Sequence, residues 1–208
     1  MYRIVQKKIL NPTVTLMEIE APLVAKKAEP GQFIILRVDE TGERIPLTIA
    51  DFDREKGTVT IIFQIVGGTT ERLNHKEAGD FIQDFVGPLG VATHTEGLKK
   101  VCIVGGGVGC AIALPIAKKL HQQGCAVTSV IGFRSKDLLI LEDEFRAASD
   151  KLYVMTDDGP SVCSHYYCSA EGSEDRTEVY VVPKWDFPIW LVKETGIPDE
   201  GVLLYEKR

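Results

Sequence analysis

Short alternations of apolar and polar residues fill the first 95 positions, and turn residues separate them. The apolar positions are rich in Val, Ile, Thr and Phe, which favour β-strands, and the breaks contain turn sequences such as Glu29-Pro30-Gly31. Strands are predicted at residues 2–9, 14–20, 33–38, 45–50, 58–66 and 81–85, with one short helix beginning at Thr69 or Thr70. Closely spaced strands with almost no helical period predict a small antiparallel β-barrel over residues 1–95.

From residue 101 the period changes, and strands alternate with helices. Strands are predicted at residues 101–104, 126–131 and 152–155, and helices at 109–123 and 136–148. This order builds a parallel sheet through right-handed crossovers, with its ligand crevice at the carboxyl ends of the strands. The sequence therefore predicts a second, α/β domain over residues 101–208, joined to the barrel by the polar stretch 93–100. Residues after 160 show no clear period apart from a strand predicted at 178–182, and they are short for completing such a domain.

Composition narrows the class of protein. The chain has 208 residues, 44% of them hydrophobic, and a formal net charge of −6. An acidic chain without a basic run argues against a nucleic-acid partner, and no apolar stretch is long enough to span a membrane. The N-terminus lacks the apolar core of a signal peptide, and five cysteines are an odd number for a disulfide framework. We therefore expect a cytoplasmic protein with reduced thiols.

The most informative stretch is Val-Cys-Ile-Val-Gly-Gly-Gly-Val-Gly-Cys-Ala at residues 101–111. A buried strand, a glycine-rich turn and a helix offer a phosphate free backbone N–H groups and the positive end of a helix dipole. Gly105 and Gly107 fit the dinucleotide spacing G-x-G-x-x-G, whereas position 110 is Cys. We predict a nucleotide diphosphate at this turn, although a tight turn also needs glycine for steric reasons alone.

Three further phrases lie in the barrel: Arg-Ile-Pro-Leu-Thr at 44–48, Ile-Phe-Gln-Ile-Val-Gly-Gly-Thr-Thr at 62–70, and Gly-Pro-Leu-Gly at 87–90. A strand that ends in a hydroxyl residue can offer a donor to a flavin ring. A Gly-Gly-Thr-Thr turn at the start of a helix can hold a pyrophosphate through N–H and hydroxyl groups. Ordinary hairpin turns, with a helix N-cap at Thr69 or Thr70, are the favoured explanation for each phrase when it is taken alone.

Taken together and in this order, the phrases resemble the ferredoxin–NADP reductase superfamily. Within it the chain is similar to the flavin subunits of dihydroorotate dehydrogenase electron-transfer complexes and, more closely, to the small subunit of NADH-dependent reduced ferredoxin:NADP oxidoreductase. The phrases that match stand at residues 43–51 (Glu-Arg-Ile-Pro-Leu-Thr-Ile-Ala-Asp), 132–144 and 153–159. The resemblance covers about residues 1–159 and does not extend into the C-terminal part.

The resemblance implies FAD on the barrel, NAD(P)H on the second domain, and an oxidoreductase that moves a hydride between them. The residues expected at the cofactors by the resemblance are Pro46, Leu47, Thr48, Ile62, Phe63 and Gln64 at the flavin, Gly68, Thr69 and Thr70 at its pyrophosphate, and Gly105, Gly106, Gly107, Val108 and Gly109 under the nicotinamide nucleotide. One departure concerns the arginine that the superfamily places three residues before the Ser/Thr. Here that position is Ile45, and Arg44 stands one step away, which on a strand points to the opposite face.

The resemblance also implies a larger electron-transfer partner subunit and a 2Fe–2S cluster. No ligand set for the cluster is recognisable: Cys163 and Cys168 have the C-x4-C spacing of plant-type ferredoxins, but two ligands do not hold a cluster. Unrelated thiols are the favoured explanation for the pair. A second hypothesis is therefore a non-catalytic regulatory or assembly subunit that keeps the reductase fold without the cluster.

The choice between NAD and NADP depends on the end of the second α/β strand. An acidic residue there usually accepts a hydrogen bond from the ribose 2′-hydroxyl of NAD. This chain has Arg134 and Lys136 instead, which favour a 2′-phosphate. Arg134 could equally stack on adenine or hold the pyrophosphate, and the resemblance favours NAD. Asp157 is a candidate for a ribose contact, although it also suits a turn.

Overall fold

In the computed structural model, which describes residues 1–156 and 178–181, the chain divides into two units. The first unit is Met1–His94, and the second begins at Thr95. The first contains strands β1 (Tyr2–Asn11), β2 (Val14–Glu20), β3 (Phe33–Arg37), β4 (Arg44–Asp53), β5 (Thr58–Gln64), β6 (Phe81–Ile82) and β7 (Asp84–Leu89), with helices α1 (Pro22–Ala25) and α2 (Gly68–Asn74).

The seven strands form one antiparallel sheet in the order β6-β1-β2-β5-β4-β3-β7. Strands β6 and β7, at opposite ends of this order, are separated along the chain only by Gln83. The two ends of the sheet therefore meet, which leaves the barrel nearly closed and confirms the predicted antiparallel β-barrel. The single strand predicted at 81–85 is wrong in detail, because its first half pairs with β1 and its second half with β3.

Alternation along the strands fills the inside of the barrel with aliphatic and aromatic side chains. Those fully buried include Ile4, Met17, Ile19, Ile34, Leu36, Ile49, Ile61, Phe63, Ile82 and Phe85. Leu73 of α2 is also fully buried, so one face of this short helix packs into the same core. Helix α1 was not predicted, because four residues that begin with Pro22 are too few to show a helical period.

The second unit has a parallel sheet of β8 (Lys100–Gly106), β9 (Ala126–Phe133), β10 (Lys151–Thr156) and β11 (Glu178–Val181), with helices α3 (Cys110–Gln122) and α4 (Glu142–Ala147). The strand order is β10-β9-β8-β11, and all neighbours are parallel. The predicted parallel α/β sheet is confirmed for the described residues. The order reverses at β8, because β9 and β10 follow on one side of it and β11 lies on the other.

Residues 136–148 do not form the single helix that was predicted. Lys136–Leu138 is one 3-10 turn, Leu139 is extended with ψ 129°, and Leu141 is left-handed with φ 62° directly before α4. Ile140 and Leu141 are nevertheless buried, at 4% and 8% exposure. The apolar residues that suggested one helix are therefore divided between the 3-10 turn, the connection that follows it and α4.

Within the part of the chain that the structure describes, no helix has the length and apolar character needed to cross a membrane.

Candidate functional site

Strand β4 changes its partner halfway along its length. Residues 44–48 pair with β3, from Arg44 opposite Arg37 to Thr48 opposite Phe33. Pairing with β5 begins only at Ile49, which lies opposite Ile61. The next residues outward, Thr48 on β4 and Ile62 on β5, are no longer paired with each other. The two strands part at this point, and the predicted flavin residues lie on both sides of the parting.

The predicted flavin residues differ in what they expose. Pro46 is exposed, and Thr48 and Gln64 are half-buried. Leu47 is half-buried and packs on the core. Phe63 is 2% exposed and belongs to the core, so only its backbone is available at the parting. Ile62 is nearly buried as well, at 8% exposure.

The turn from β5 into α2 is built around the hydroxyl group of Thr70. Its Oγ1 accepts hydrogen bonds from the N–H groups of Val66, at 3.0 Å, and Gly67, at 3.1 Å, and donates one to the carbonyl oxygen of Gly67, at 2.9 Å. The N-cap is Gly67, so the alternative of a cap at Thr69 or Thr70 is wrong. Thr70 instead stabilises the turn from the third helical position.

The backbone of this turn is open to a ligand. A Cβ atom added at Gly67 or Gly68 would meet nothing within 4 Å, and both glycines are exposed. The first N–H groups of a helix have no acceptor within the helix, and Gly67 has no side chain to cap them. Because β5 leads directly into the turn, these groups lie at the same end of β5 as the parting from β4.

Helix α2 is held at its other end by polar residues of β1 and β2. The ammonium group of Lys7 donates to the carbonyl oxygen of Asn74 at 2.6 Å and lies 2.7 Å from a carboxylate oxygen of Glu77. The hydroxyl group of Thr15 donates to Oδ1 of Asn74 at 2.7 Å. The side chain of Lys7 is only 10% exposed. Sequence reasoning missed these contacts, because each joins residues 59 or more positions apart.

Arg44 forms an ion pair with Asp84 of β7. Its guanidinium lies 3.1 Å from Oδ2 of Asp84, and Nε of Arg37 lies 2.7 Å from the same oxygen. The three residues form one row across β4, β3 and β7. Arg44 is therefore paired with an acidic residue of β7.

The glycine run of the second unit is divided between the end of a strand and the turn that follows it. Gly105 and Gly106 belong to β8, so the turn is shorter than predicted and consists of Gly107–Gly109. Gly107 has φ 53°, a conformation that favours glycine. The turn leads into α3 at the strand where the sheet order reverses, which is where open parallel sheets bind nucleotides.

Cys110 explains why the dinucleotide spacing is incomplete. A Cβ atom at Gly105 would lie 3.0 Å from Sγ and 3.2 Å from Cα of Cys110, so strand and helix are in close contact here. Burial raises the pKa of the Cys110 thiol to about 12, and the residue is fully buried. A larger residue is tolerated at position 110 because Gly105 provides the space. Gly106, by contrast, has nothing within 4 Å of an added Cβ.

Arg134 follows directly after Phe133, the last residue of β9, and is exposed. It forms no ion pair with any residue that the structure describes. Lys136 is also exposed and begins the 3-10 turn. Asp157, Cys163 and Cys168 lie outside the described residues. Among residues 1–156 and 178–181, no group of three or more His, Cys, Asp or Glu is arranged to hold a metal ion.

Comparisons with known proteins agree with this architecture. A Clostridium beijerinckii protein, named only as an uncharacterized protein in the adh 3′ region, is 54% identical over 219 residues, which cover 95% of this chain and 72% of that protein. A Thermotoga maritima homolog of the electron transfer subunit of dihydroorotate dehydrogenase B (NAD(+)) is 50% identical over 141 residues, or 68% of this chain and 50% of that protein. Residues 144–207 match the model of a family of unknown function (DUF6100).

Solved structures of related proteins have the same fold. The NADH-dependent reduced ferredoxin-NADP oxidoreductase structure superposes with a TM-score of 0.73 at 45% identity, covering 76% of this chain and 58% of that one. Phthalate dioxygenase reductase superposes with a TM-score of 0.71 at 19% identity, covering 86% of this chain and 59% of that one, and shows the fold alone. The chain belongs to the ferredoxin–NADP reductase superfamily. It spans half of the Thermotoga relative and 58% of the oxidoreductase chain.

Proposed function

We propose that this chain is a flavoprotein oxidoreductase subunit that moves electrons between NAD(P)H and a partner protein through FAD. The observation that carries the proposal is the parting of β4 from β5 beside the open Gly67–Gly68 backbone. A flavin ring presents hydrogen-bonding atoms along one edge and a flat apolar surface. Backbone groups of parted strands and half-buried side chains such as Leu47 and Thr48 suit both features.

FAD would be held by two parts of the first unit. Thr48 and the backbone of β4 and β5 would contact the ring, with Pro46, Leu47, Ile62, Phe63 and Gln64 around it. The N–H groups of Gly68, Thr69 and Thr70 would face the pyrophosphate, and Thr69 is a half-buried residue. The chemistry that FAD supplies when bound is exchange of an electron pair with a nicotinamide and of single electrons with a one-electron carrier.

NAD(P)H would lie at the carboxyl ends of β8 and β9. The Gly107–Gly109 turn and the N-terminus of α3 would bind its phosphates, since α3 has thirteen residues and its first N–H groups point toward that end. Gly106 would let the dinucleotide approach the backbone, because no atom lies near its missing side chain. Arg134 would lie beside the adenosine half. Asp157 stays a candidate for a ribose contact.

The partner would be a larger electron-transfer subunit, because the named relatives are themselves electron transfer subunits. The expected 2Fe–2S cluster has no recognisable ligands within the described residues, and no step of the proposal depends on it. A cytoplasmic location stays a prediction.

An anaerobic absorbance spectrum of the purified chain tests the proposal directly. We expect a bound yellow flavin, close to one per chain after reconstitution with FAD, that bleaches when NADH or NADPH is added. A chain that binds no flavin under these conditions would contradict the proposal. It would favour the hypothesis of a non-catalytic regulatory or assembly subunit.

A further inference from the structure

Phe33, the first residue of β3, lies directly opposite Thr48 in the pairing of β3 with β4. On the other side of β3, Phe33 lies opposite Leu89 of β7. Residues that pair in this way in an antiparallel sheet direct their side chains to the same face, with Cβ atoms about 5 Å apart. Thr48, Phe33 and Leu89 therefore form one row across three strands, and the row ends at Thr48, where β4 parts from β5.

This row lies on the outer face of the barrel. The next residues along β3 and β4, Ile34 and Ile49, are fully buried in the core, so alternation directs Phe33 and Thr48 the opposite way. The aromatic residues of the first unit that belong to the core or pack against it are Tyr2, Phe52, Phe63 and Phe85. Phe33 is half-buried and is not part of this core. The packing of the barrel interior therefore does not explain a large apolar ring at this position.

Gly90 holds the ring of Phe33 in place. A Cβ atom at Gly90 would lie 2.9 Å from Cε1 and 3.1 Å from Cδ1 of Phe33, so one edge of the ring rests on the glycine backbone. Gly90 is fixed in turn, because its carbonyl oxygen accepts a hydrogen bond from Nε2 of Gln32 at 3.1 Å. A side chain that is already fixed loses little conformational entropy when a flat ligand packs against it.

We propose that Phe33 contacts the ring of the bound flavin and contributes to its binding. This inference rests on the proposed function, which brings the flavin ring to Thr48 and to the backbone where β4 and β5 part. Phe33 lies beside Thr48 on the same face of the sheet. The flavin ring is planar and aromatic, and a pair of aromatic rings gains stabilisation beyond the burial of its surface.

Phe81 provides a matched control, because it is the other aromatic residue of the first unit outside the core. It is 47% exposed and pairs with Arg3, near the beginning of β1. Ile62 of the flavin site is level, through Leu16 of β2, with Lys8 in the second half of β1. The same substitution can therefore be made at Phe33 and at an outer aromatic residue away from the flavin site.

Replacing Phe33 with Leu removes the ring but keeps an apolar side chain. We expect the affinities for riboflavin and for FAD to fall by the same factor, roughly three- to tenfold, in fluorescence titrations. Riboflavin has no phosphate, so an equal loss assigns the contact to the flavin ring. Phe81→Leu should leave both affinities unchanged. If Phe33→Leu lowers the stability in urea but the folded variant binds riboflavin as the wild type does, Phe33 has only a structural role and the inference is wrong.

Replacing Phe33 with Tyr is the milder change and adds a signal. A tyrosine side chain in contact with an excited flavin quenches its fluorescence by donating an electron, whereas phenylalanine is too poor a donor to do so. Phe33→Tyr keeps the ring on Gly90 and should therefore dim the emission of bound riboflavin relative to the wild type. Phe81→Tyr should leave the emission unchanged. Equal emission from Phe33→Tyr and the wild type would overturn the inference.

The two titrations also separate this inference from the proposed function. A wild-type chain that binds neither riboflavin nor FAD would contradict the proposed function, and the flavin contact of Phe33 would be disproved with it. A wild-type chain that binds both, with affinities and emission that do not change on substitution of Phe33, would contradict the Phe33 contact alone.

Discussion

The ammonium nitrogen of Lys7 lies 2.6 Å from the carbonyl oxygen of Asn74, the last residue of α2. The two residues are 67 positions apart, and the lysine side chain is almost buried between strand and helix. A cation at a helix C-terminus is electrostatically favourable, and a buried carbonyl without its donor is costly. This contact therefore ties the helix that follows the predicted pyrophosphate turn to the first strand of the barrel.

Replacing Lys7 with Met should destabilise the first unit. The substitution keeps the apolar stem but removes the donor to Asn74 and the ion pair with Glu77. We expect a loss of about 1–3 kcal/mol in the free energy of unfolding, measured by urea titration of the purified chain. Lys8→Met, at the neighbouring exposed position, is the control and should change stability little. If both substitutions lower the free energy of unfolding equally, the contact of Lys7 with Asn74 does not contribute to stability.

Replacing Thr70 with Asp should release FAD. A carboxylate can still accept the N–H groups of Val66 and Gly67, but it loses the hydrogen bond to the Gly67 carbonyl oxygen and places a negative charge beside the predicted pyrophosphate. We expect FAD affinity to fall at least tenfold by fluorescence titration. Affinity for riboflavin, which has no phosphate, should stay within about twofold.

Thr70→Ser is the matched control for this prediction, because it keeps a hydroxyl group in place. It should retain FAD at the wild-type level. If the Asp variant holds FAD at wild-type stoichiometry, the pyrophosphate lies elsewhere.

Substitution by alanine should change the stability of the chain differently at Gly105 and at Gly106. At Gly105 the new methyl group would press on Cys110, and overpacking of this kind costs about 1–3 kcal/mol of stability. At Gly106 the methyl group meets no atom, and the backbone conformation there (φ −126°, ψ 128°) suits alanine. Urea titration should therefore show a clear loss for Gly105→Ala and almost none for Gly106→Ala. When Cys110→Ala is added to Gly105→Ala, the double variant should recover part of the lost stability. If it recovers none, the destabilisation does not come from the contact between residues 105 and 110.

The same pair of variants also tests the dinucleotide site. Gly106→Ala should keep its stability yet weaken NAD⁺ binding, because its methyl group would stand where the dinucleotide approaches the backbone. The NAD⁺ affinity of the folded Gly106→Ala variant can be measured by calorimetry. Unchanged affinity would mean that the dinucleotide does not pass Gly106.

The sequence could predict elements whose formation depends on local alternation. The bounds of β2 were predicted correctly at both ends, because from Thr15 onward buried positions alternate with more accessible ones and turn residues flank the strand. The βαβαβ order was likewise readable from the change of period after residue 100. The glycines of the β8–α3 connection were recognised, but their division between strand and turn was not. That division depends on Gly105 and Gly106 pairing with residues of β9, which lie 26 positions further along the chain.

Features that depend on which strand pairs with which could not be predicted. Where β4 leaves β5 follows from register across the whole barrel, and nothing near Thr48 or Ile62 indicates it. The two halves of the 81–85 segment have no turn residue between them but belong to opposite ends of the sheet. The left-handed conformation of Leu141 was equally hidden, since leucine gives no local signal for it.

The preferred nicotinamide cofactor can be decided at Arg134. Its exposed guanidinium at the end of β9 would pair with the 2′-phosphate of NADPH, because such a pair gains charge-assisted hydrogen bonds. The name of the Thermotoga relative specifies NAD(+), whereas the oxidoreductase of the solved structure is named for both NADH and NADP; the resemblance favours NAD for this chain. We expect NADH to bleach the flavin faster than NADPH in the wild type, with Arg134 holding the pyrophosphate or stacking on adenine, features that both cofactors share. Arg134→Ala should then raise the KM for NADH and for NADPH by the same factor and leave their ratio unchanged, whereas Lys136→Ala should affect neither. A strong preference for NADPH that disappears in Arg134→Ala would instead assign the guanidinium to the 2′-phosphate and make this chain an NADP-dependent member of its superfamily.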